Sequence, residues 1–173
     1  YRKLKTFYIF DRYKPKQENT MYYTGQEIID IAIRIEENGH EFYTLGAKAI
    51  SGNEPIRKLF TELAAKEISH IAAFQNIASH FEPESFEFNQ EEEADYMNHL
   101  ADTHIFQKKD SGAEKAKKIN SAKQALEIAY QFELESVDFY TELLKKTKKD
   151  AVKLIQQIIE EEKEHAAEIK SYM

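Results

Sequence analysis

The sequence predicts an all-α protein: a four-helix bundle built from two helical hairpins, with one long crossover between the second and third helices. Three observations predict it. Apolar residues recur in alternating steps of three and four along four long stretches, the spacing of a bundle seam. Helix breakers are scarce, with five Gly and three Pro in 173 residues. The two halves of the chain also repeat each other. Ala32, Glu36, Phe42, Tyr43 and Thr44 match Ala129, Glu133, Phe139, Tyr140 and Thr141, while Leu59, Glu67 and His70 match Leu154, Glu162 and His165. Such a repeat implies pseudo-twofold symmetry, with any site on the axis.

The first helix is expected from near Thr24, where Thr24-Gly25-Gln26-Glu27 fits a capping box, to about Ile50. Ser51-Gly52-Asn53 breaks it. The second carries Pro55 in its first turn, where proline is tolerated, and runs to about Phe81, with Pro83 beyond its end. Residues 82 to 120 form the crossover, with a short helix predicted from Glu91 to about Thr103 after Asn89. The third helix starts at the capping box Ser121-Ala122-Lys123-Gln124. It ends in Lys145-Lys146-Thr147-Lys148-Lys149, a cationic run suited to a helix C-terminus. Asp150 is placed to cap the fourth, which runs to about Tyr172. Residues 1 to 20 read as a basic, aromatic extension that packs locally rather than as an arm for an acidic partner, and 21 to 173 as the bundle domain.

Composition narrows the function. No cysteine occurs, which excludes disulfides, zinc fingers and thiolate iron centres from these residues. The net charge of -7 argues against nonspecific nucleic-acid binding. No apolar run approaches the ~20 residues of a membrane span and no signal-peptide pattern is present, so a cytoplasmic protein without a membrane partner is the expectation.

Chemistry enters through two copies of Glu-x-x-His, Glu67-Ile-Ser-His70 and Glu162-Lys-Glu-His165. The pattern alone is weak, since a third copy, Glu37-Asn38-Gly39-His40, is present. Position separates them. The second helix has its seam at Ile56, Phe60, Leu63, Glu67, His70, Phe74, Ile77 and Phe81, and the fourth at Ile155, Ile158, Glu162, His165, Ile169 and Tyr172. Both motifs thus sit mid-seam, where an ionised carboxylate is costly unless paired or coordinated. The third copy matches Leu134 and Val137 in the other half. Glu37 reads as solvent-facing and His40 as a packed histidine. The first helix adds Glu36 on the stripe Ile29, Ile33, Glu36, Tyr43, and the third adds Glu133 on Leu126, Ala129, Glu133, Tyr140.

Glu36, Glu67, His70, Glu133, Glu162 and His165 therefore offer four carboxylates and two imidazoles. This is the general pattern of di-iron carboxylate bundles, one Glu from each of two helices and Glu-x-x-His from each of the others. Two divalent ions would neutralise it. A metal-free network of buried ion pairs is the competing reading, but the set lacks a cation to balance it.

On these residues, with Phe42-Tyr43 and Phe139-Tyr140, the chain from about 24 to 172 resembles the rubrerythrin-type branch of the ferritin-like di-iron proteins. The resemblance implies that Glu36 and Glu133 each bind one iron, that Glu67 and Glu162 bridge, and that His70 and His165 cap. It also implies that Tyr43 and Tyr140 donate hydrogen bonds to ligand carboxylates. There are two departures. Rubrerythrin carries a C-terminal rubredoxin domain, and these 173 cysteine-free residues hold none. Its extra Glu one turn after the third-helix ligand is replaced by Ser136, mirrored by Gly39, and these small residues are expected to leave room for a diatomic ligand or peroxide.

The functional expectation is an oxidoreductase that reduces H2O2 or O2 at two iron ions and is re-reduced by an external electron donor. Iron handling of the ferroxidase type and a metal-stabilised structural bundle are the alternatives. The same ligands accept manganese, zinc or cobalt. A homodimer is expected from the resemblance and from the surplus aromatics Phe86, Phe88 and Phe106 in the crossover.

Overall fold

A computed structural model describes residues 25–80, 98–104, 106, 108–147 and 151–173. Its described helices are α1 (Gly25–Ala49), α2 (Glu54–His80), α3 (Ser111–Ala116), α4 (Ala122–Lys146) and α5 (Val152–Ser171), with a further helical stretch over 98–103. No strand occurs among the described residues. The main pairings are α1 with α2 and α4 with α5, the two hairpins; α1 also packs on α3 and α4, and α2 on α5. This is the all-α bundle with one long crossover that the periodicity requires. None of the described helices is long and apolar enough to cross a membrane.

The seams follow the spacing. Ile56, Phe60, Leu63, Phe74 and Ile77 of α2 and Ile155, Ile158 and Ile169 of α5 are all buried. Tyr172 is not: it is the C-cap just past the end of α5 and is 41% exposed, whereas Ile169 one turn earlier is fully buried. Ser121 caps α4 as expected, its Oγ accepting the Gln124 N–H at 3.2 Å. Gln124 Oε1 reaches back one residue further, to the N–H of Asn120. Such a cap is worth about 1 kcal/mol. Asn53 does the same for α2, accepting from the Ile56 N–H. At the start of α5 the N-cap position falls on Ala151, which makes no side-chain cap bond. Thr24, Phe81, Pro83, Asn89, Glu91, Asp150, the cationic residues Lys148 and Lys149, and the 1–20 extension lie outside the described residues.

The crossover seats on α1. Besides the inward stripe, α1 buries a second one, Ile28, Ile31, Ile35, Asn38 and Phe42. Asn38 is the anchor: its Nδ2 donates to the carbonyls of Phe106 (2.8 Å), Lys108 (3.1 Å) and Arg34 (3.0 Å), and its Oδ1 accepts the Gly112 N–H at 3.1 Å. The approach is so close that a Cβ on Gly112 would lie 2.0 Å from the Asn38 carbonyl oxygen. Phe106 is fully buried between Phe42 and Phe132, so it belongs to the chain's own core and is not a surplus aromatic for a dimer face. Phe86 and Phe88 lie outside the described residues. The space expected beside Gly39 and Ser136 is also filled. A Cβ at Gly39 would stand 2.6 Å from Phe132 Cζ, and Ser136 is buried against His104, whose Nε2 lies 3.2 Å from its Oγ.

Candidate metal centre

Each helix of the bundle delivers its polar side chains to the middle of the seam. Glu36 comes from α1, Glu67 and His70 from α2, Glu133 from α4, and Glu162 and His165 from α5. All six are at most 1% exposed. An i, i+3 pair on one helix face brings each Glu and its His within one turn of a common point. Two overlapping groups of four result, with ligand atoms within 4.8 Å of one another. One is Glu36, Glu67, His70 and Glu162; the other is Glu67, Glu133, Glu162 and His165. Glu67 and Glu162 belong to both.

The unmet hydrogen bonds mark the interior of this cluster. Glu36 Oε2, both oxygens of Glu67, Glu133 Oε2, Glu162 Oε1 and His70 Nδ1 are buried without a hydrogen-bond partner among the described residues. His70 Nδ1 lies 3.0 Å from Glu162 Oε1 and 3.6 Å from Glu36 and Glu67, yet none of these contacts is aligned as a hydrogen bond. Lone pairs that crowd one point without donating to one another suit a cation better than a proton. Each buried, unsatisfied group would otherwise cost roughly 1–3 kcal/mol.

The outer oxygens are held. Tyr140 donates its hydroxyl to Glu36 Oε1 and Tyr43 donates to Glu133 Oε1. The tyrosine of each hairpin therefore fixes the carboxylate of the other, and leaves one oxygen of each free to face inward. Burial, and then the carboxylates of Glu133 and Glu36 respectively, push the Tyr43 and Tyr140 hydroxyls well above their usual range, so both remain donors. Phe60 and Phe132 pack on Tyr43, and Phe74 packs on Tyr140.

Charge in the metal-free cluster is unsustainable at four negatives. Burial, then the neighbouring charge of Glu36 or Glu162, raises Glu67 and Glu133 well above the carboxylate range. Glu162 is held low despite its burial, because the His165 imidazole hydrogen-bonds to it and that of His70 lies against it. Burial alone would lower the histidines, but the surrounding carboxylates outweigh it. His70 is raised far above its ordinary value and His165 to about 9. No lysine or arginine among the described residues pairs with the six. Two divalent ions would balance four carboxylates and leave both imidazoles neutral to ligate, so the donor set fits a dinuclear metal site.

The sequence model of the Rubrerythrin family matches residues 27–173. The chain belongs to the Rubrerythrin family. A crystal structure from Thermotoga maritima, assigned as a ferritin-like diiron-carboxylate protein, is similar at 26% identity and a TM-score of 0.67, over 88% of this chain and 95% of that one. No curated protein matches the chain. As a Rubrerythrin-family bundle, the protein has the fold and the buried carboxylate–imidazole donor set of a dinuclear metal site.

The third Glu-x-x-His stays outside this centre. Glu37 is exposed, and His40 is half-buried with its Nδ1–H donating to the Ala64 carbonyl at 2.8 Å. Three residues that shape the bundle around the centre or its crossover escaped the sequence reading. Glu161 takes a hydrogen bond from His70 Nε2 at 2.9 Å. Its signal was available in the repeat, where its counterpart is Lys66. Asn38 sits in register with an apolar stripe, which is a legible sign of a buried polar anchor. His104 carries no such signal. It is buried against Phe132 and Phe139, accepts the Phe106 N–H on Nδ1, and is pushed down to about 3 by that burial.

Proposed function

We propose that this Rubrerythrin-family chain is an oxidoreductase that reduces peroxide or O2 at a pair of iron ions held by Glu36, Glu67, His70, Glu133, Glu162 and His165. The observation that carries the reading is the set of buried, unpartnered oxygen and nitrogen atoms in two overlapping groups that share Glu67 and Glu162. A shared pair of carboxylates is what two neighbouring ions need. Oxygen and imidazole ligands tolerate iron in both oxidation states, and the pair supplies two electrons together to the oxidant.

The protein's part is to hold and to exclude. Glu36 and Glu133 would each help to hold one ion, their other oxygens being fixed by tyrosine. The phenols keep those carboxylates oriented through a redox cycle. Phe60, Phe74 and Phe132 keep bulk water from the phenol–carboxylate pairs. An electron donor outside the chain re-reduces the centre, and the chain acts as a homodimer. The tight packing at Gly39 and Ser136 means that the oxidant must approach elsewhere, or displace Phe132 or His104.

Stopped-flow mixing of the anaerobic Fe(II)-loaded protein with H2O2 and, separately, with O2 is the test. Faster oxidation by peroxide is expected. Rapid O2 consumption with slow peroxide reaction would replace this reading with ferroxidase-type iron handling, and no reaction with either would leave a structural metal centre.

A further inference from the structure

The two histidines look equivalent along the sequence but have unlike surroundings. Both turn Nδ1 to the cluster: His70 toward Glu162, Glu36 and Glu67, and His165 toward Glu162 at 3.1 Å and Glu133 at 3.6 Å. Ligation through Nδ1 leaves the ring proton on Nε2, and there the halves part. His70 Nε2–H donates to Glu161 Oε2 at 2.9 Å, and the other oxygen of Glu161 is itself fixed by Gln157 Nε2 at 2.8 Å. His165 Nε2 is buried and has no hydrogen-bond partner among the described residues. The difference is written into the repeat. Glu161 stands one residue before the α5 motif and Lys66 one residue before the α2 motif. Lys66 is exposed and has no lone pair when charged, so it cannot accept from His165.

We propose that Glu161 is a positioning residue that makes the two metal positions unequal, so that the Glu36–His70 position binds its ion first and more tightly than the Glu133–His165 position. The proposal rests on the dinuclear reading above. A carboxylate behind a ligating imidazole fixes its tautomer and its orientation and strengthens it as a base; loss of such a partner usually costs 10–100-fold in metal affinity. His70 has that partner, anchored at both oxygens. His165 would ligate with no partner for its outer N–H among the described residues.

Co(II), whose visible absorption and paramagnetic NMR shifts report its ligands, is the probe. Titration of the metal-free wild type should show two resolved steps. After the first equivalent one exchangeable histidine N–H, that of His70, should appear hyperfine-shifted. Glu161→Gln is nearly isosteric and the Glu161 side chain is 39% exposed, so the fold is retained, which melting by circular dichroism confirms. The variant should weaken the first step about 10–100-fold, leave the second within about threefold, and speed exchange of the shifted N–H. Glu161→Lys, which copies the matching residue of the other half, should do the same. Two ions bound alike in the wild type, or a variant that weakens both steps equally, would overturn the proposal. Uptake of fewer than two ions by the wild type is a different result and would remove the dinuclear reading itself.

Discussion

Two buried polar sites grow from residues of α1 that stand two positions apart. Glu36 faces the bundle axis and Asn38 faces the crossover, and neither is more than 4% exposed. At Asn38 the amide is fully used, with three carbonyls accepting from Nδ2 and a backbone N–H donating to Oδ1. Around Glu36 six inward-facing ligand atoms of the cluster have no hydrogen-bond partner among the described residues. A polar group buried for structure satisfies itself within the chain. One buried for a ligand is left incomplete, and the incompleteness is arranged about a point. The comparison separates a clamp from a binding centre on hydrogen-bond inventory alone.

Breaking the centre should have the largest effect. Glu67 is shared by both groups, so Glu67→Ala should reduce bound metal from two ions per chain to one or none, read by elemental analysis after gel filtration. Glu133→Ala should abolish turnover while the Glu36–His70 position still binds one ion, as a metal titration would show. Metal removal should lower the melting point steeply, since each ion held at a hundredfold excess over its Kd stabilises the fold by about 2.7 kcal/mol.

The metal-free protein should also acquire a pH dependence of definite sign. Glu67 and Glu133 are raised above 4.5, and His165 is raised from 6.5 to about 9. Each holds its proton more tightly folded than unfolded. The stability it contributes is complete below the unfolded pKa and is lost as pH rises through the folded one. Glu162, lowered, contributes in the opposite sense, but its contribution is complete above about 4.5. The metal-free melting point should therefore fall between pH ~6.5 and ~9. The loaded protein should vary less over this window, a difference that calorimetry at fixed ionic strength will reveal.

Asn38→Ala tests the other side of the comparison. It strands the Phe106 carbonyl and the Gly112 N–H, while the Lys108 carbonyl keeps the Ser111 N–H, so a loss of about 2–4 kcal/mol in urea unfolding is expected, at roughly 1–3 kcal/mol for each buried unpaired group. Metal content at saturation should stay at two ions. The smallest effect belongs to Glu37→Ala. Glu37 is exposed beside both sites and joined to neither, so stability should change by no more than about 0.5 kcal/mol and activity not at all. Loss of activity there, with Glu133→Ala still active, would defeat the helix-face argument.

The seams of α2 and α5 were legible because a bundle imposes one period on a long helix, and Glu67, His70, Glu162 and His165 interrupt that period at matching places. Helix α3 was not. Six residues that include Ser111 and Gly112 carry no period, and its place is fixed by Asn38, far away in sequence. Phe106 was misread for the same reason: in a segment without periodicity an aromatic residue gives no direction. Gly39 and Ser136 were read as space because their side chains are small, but Phe132 and His104 grow into that space from other elements. A sequence reports the volume a residue has, and packing decides who uses the remainder.

The exchange of tyrosine bonds between hairpins bears on how the protein is made. Tyr43 reaches Glu133 across 90 residues of chain and Tyr140 reaches Glu36 across 104. Each four-residue group likewise borrows a carboxylate from the opposite hairpin, Glu162 for one and Glu67 for the other. During synthesis the first hairpin leaves the ribosome with Glu36, Glu67 and His70 in place but no complete nest for an ion. The complete nest forms only when the last helix has docked, so metal is expected to stabilise the finished bundle far more than the first hairpin. A free pool of metal would then act mainly on chain completion rather than on early folding, and a chain truncated before α5 is expected to bind metal weakly at best.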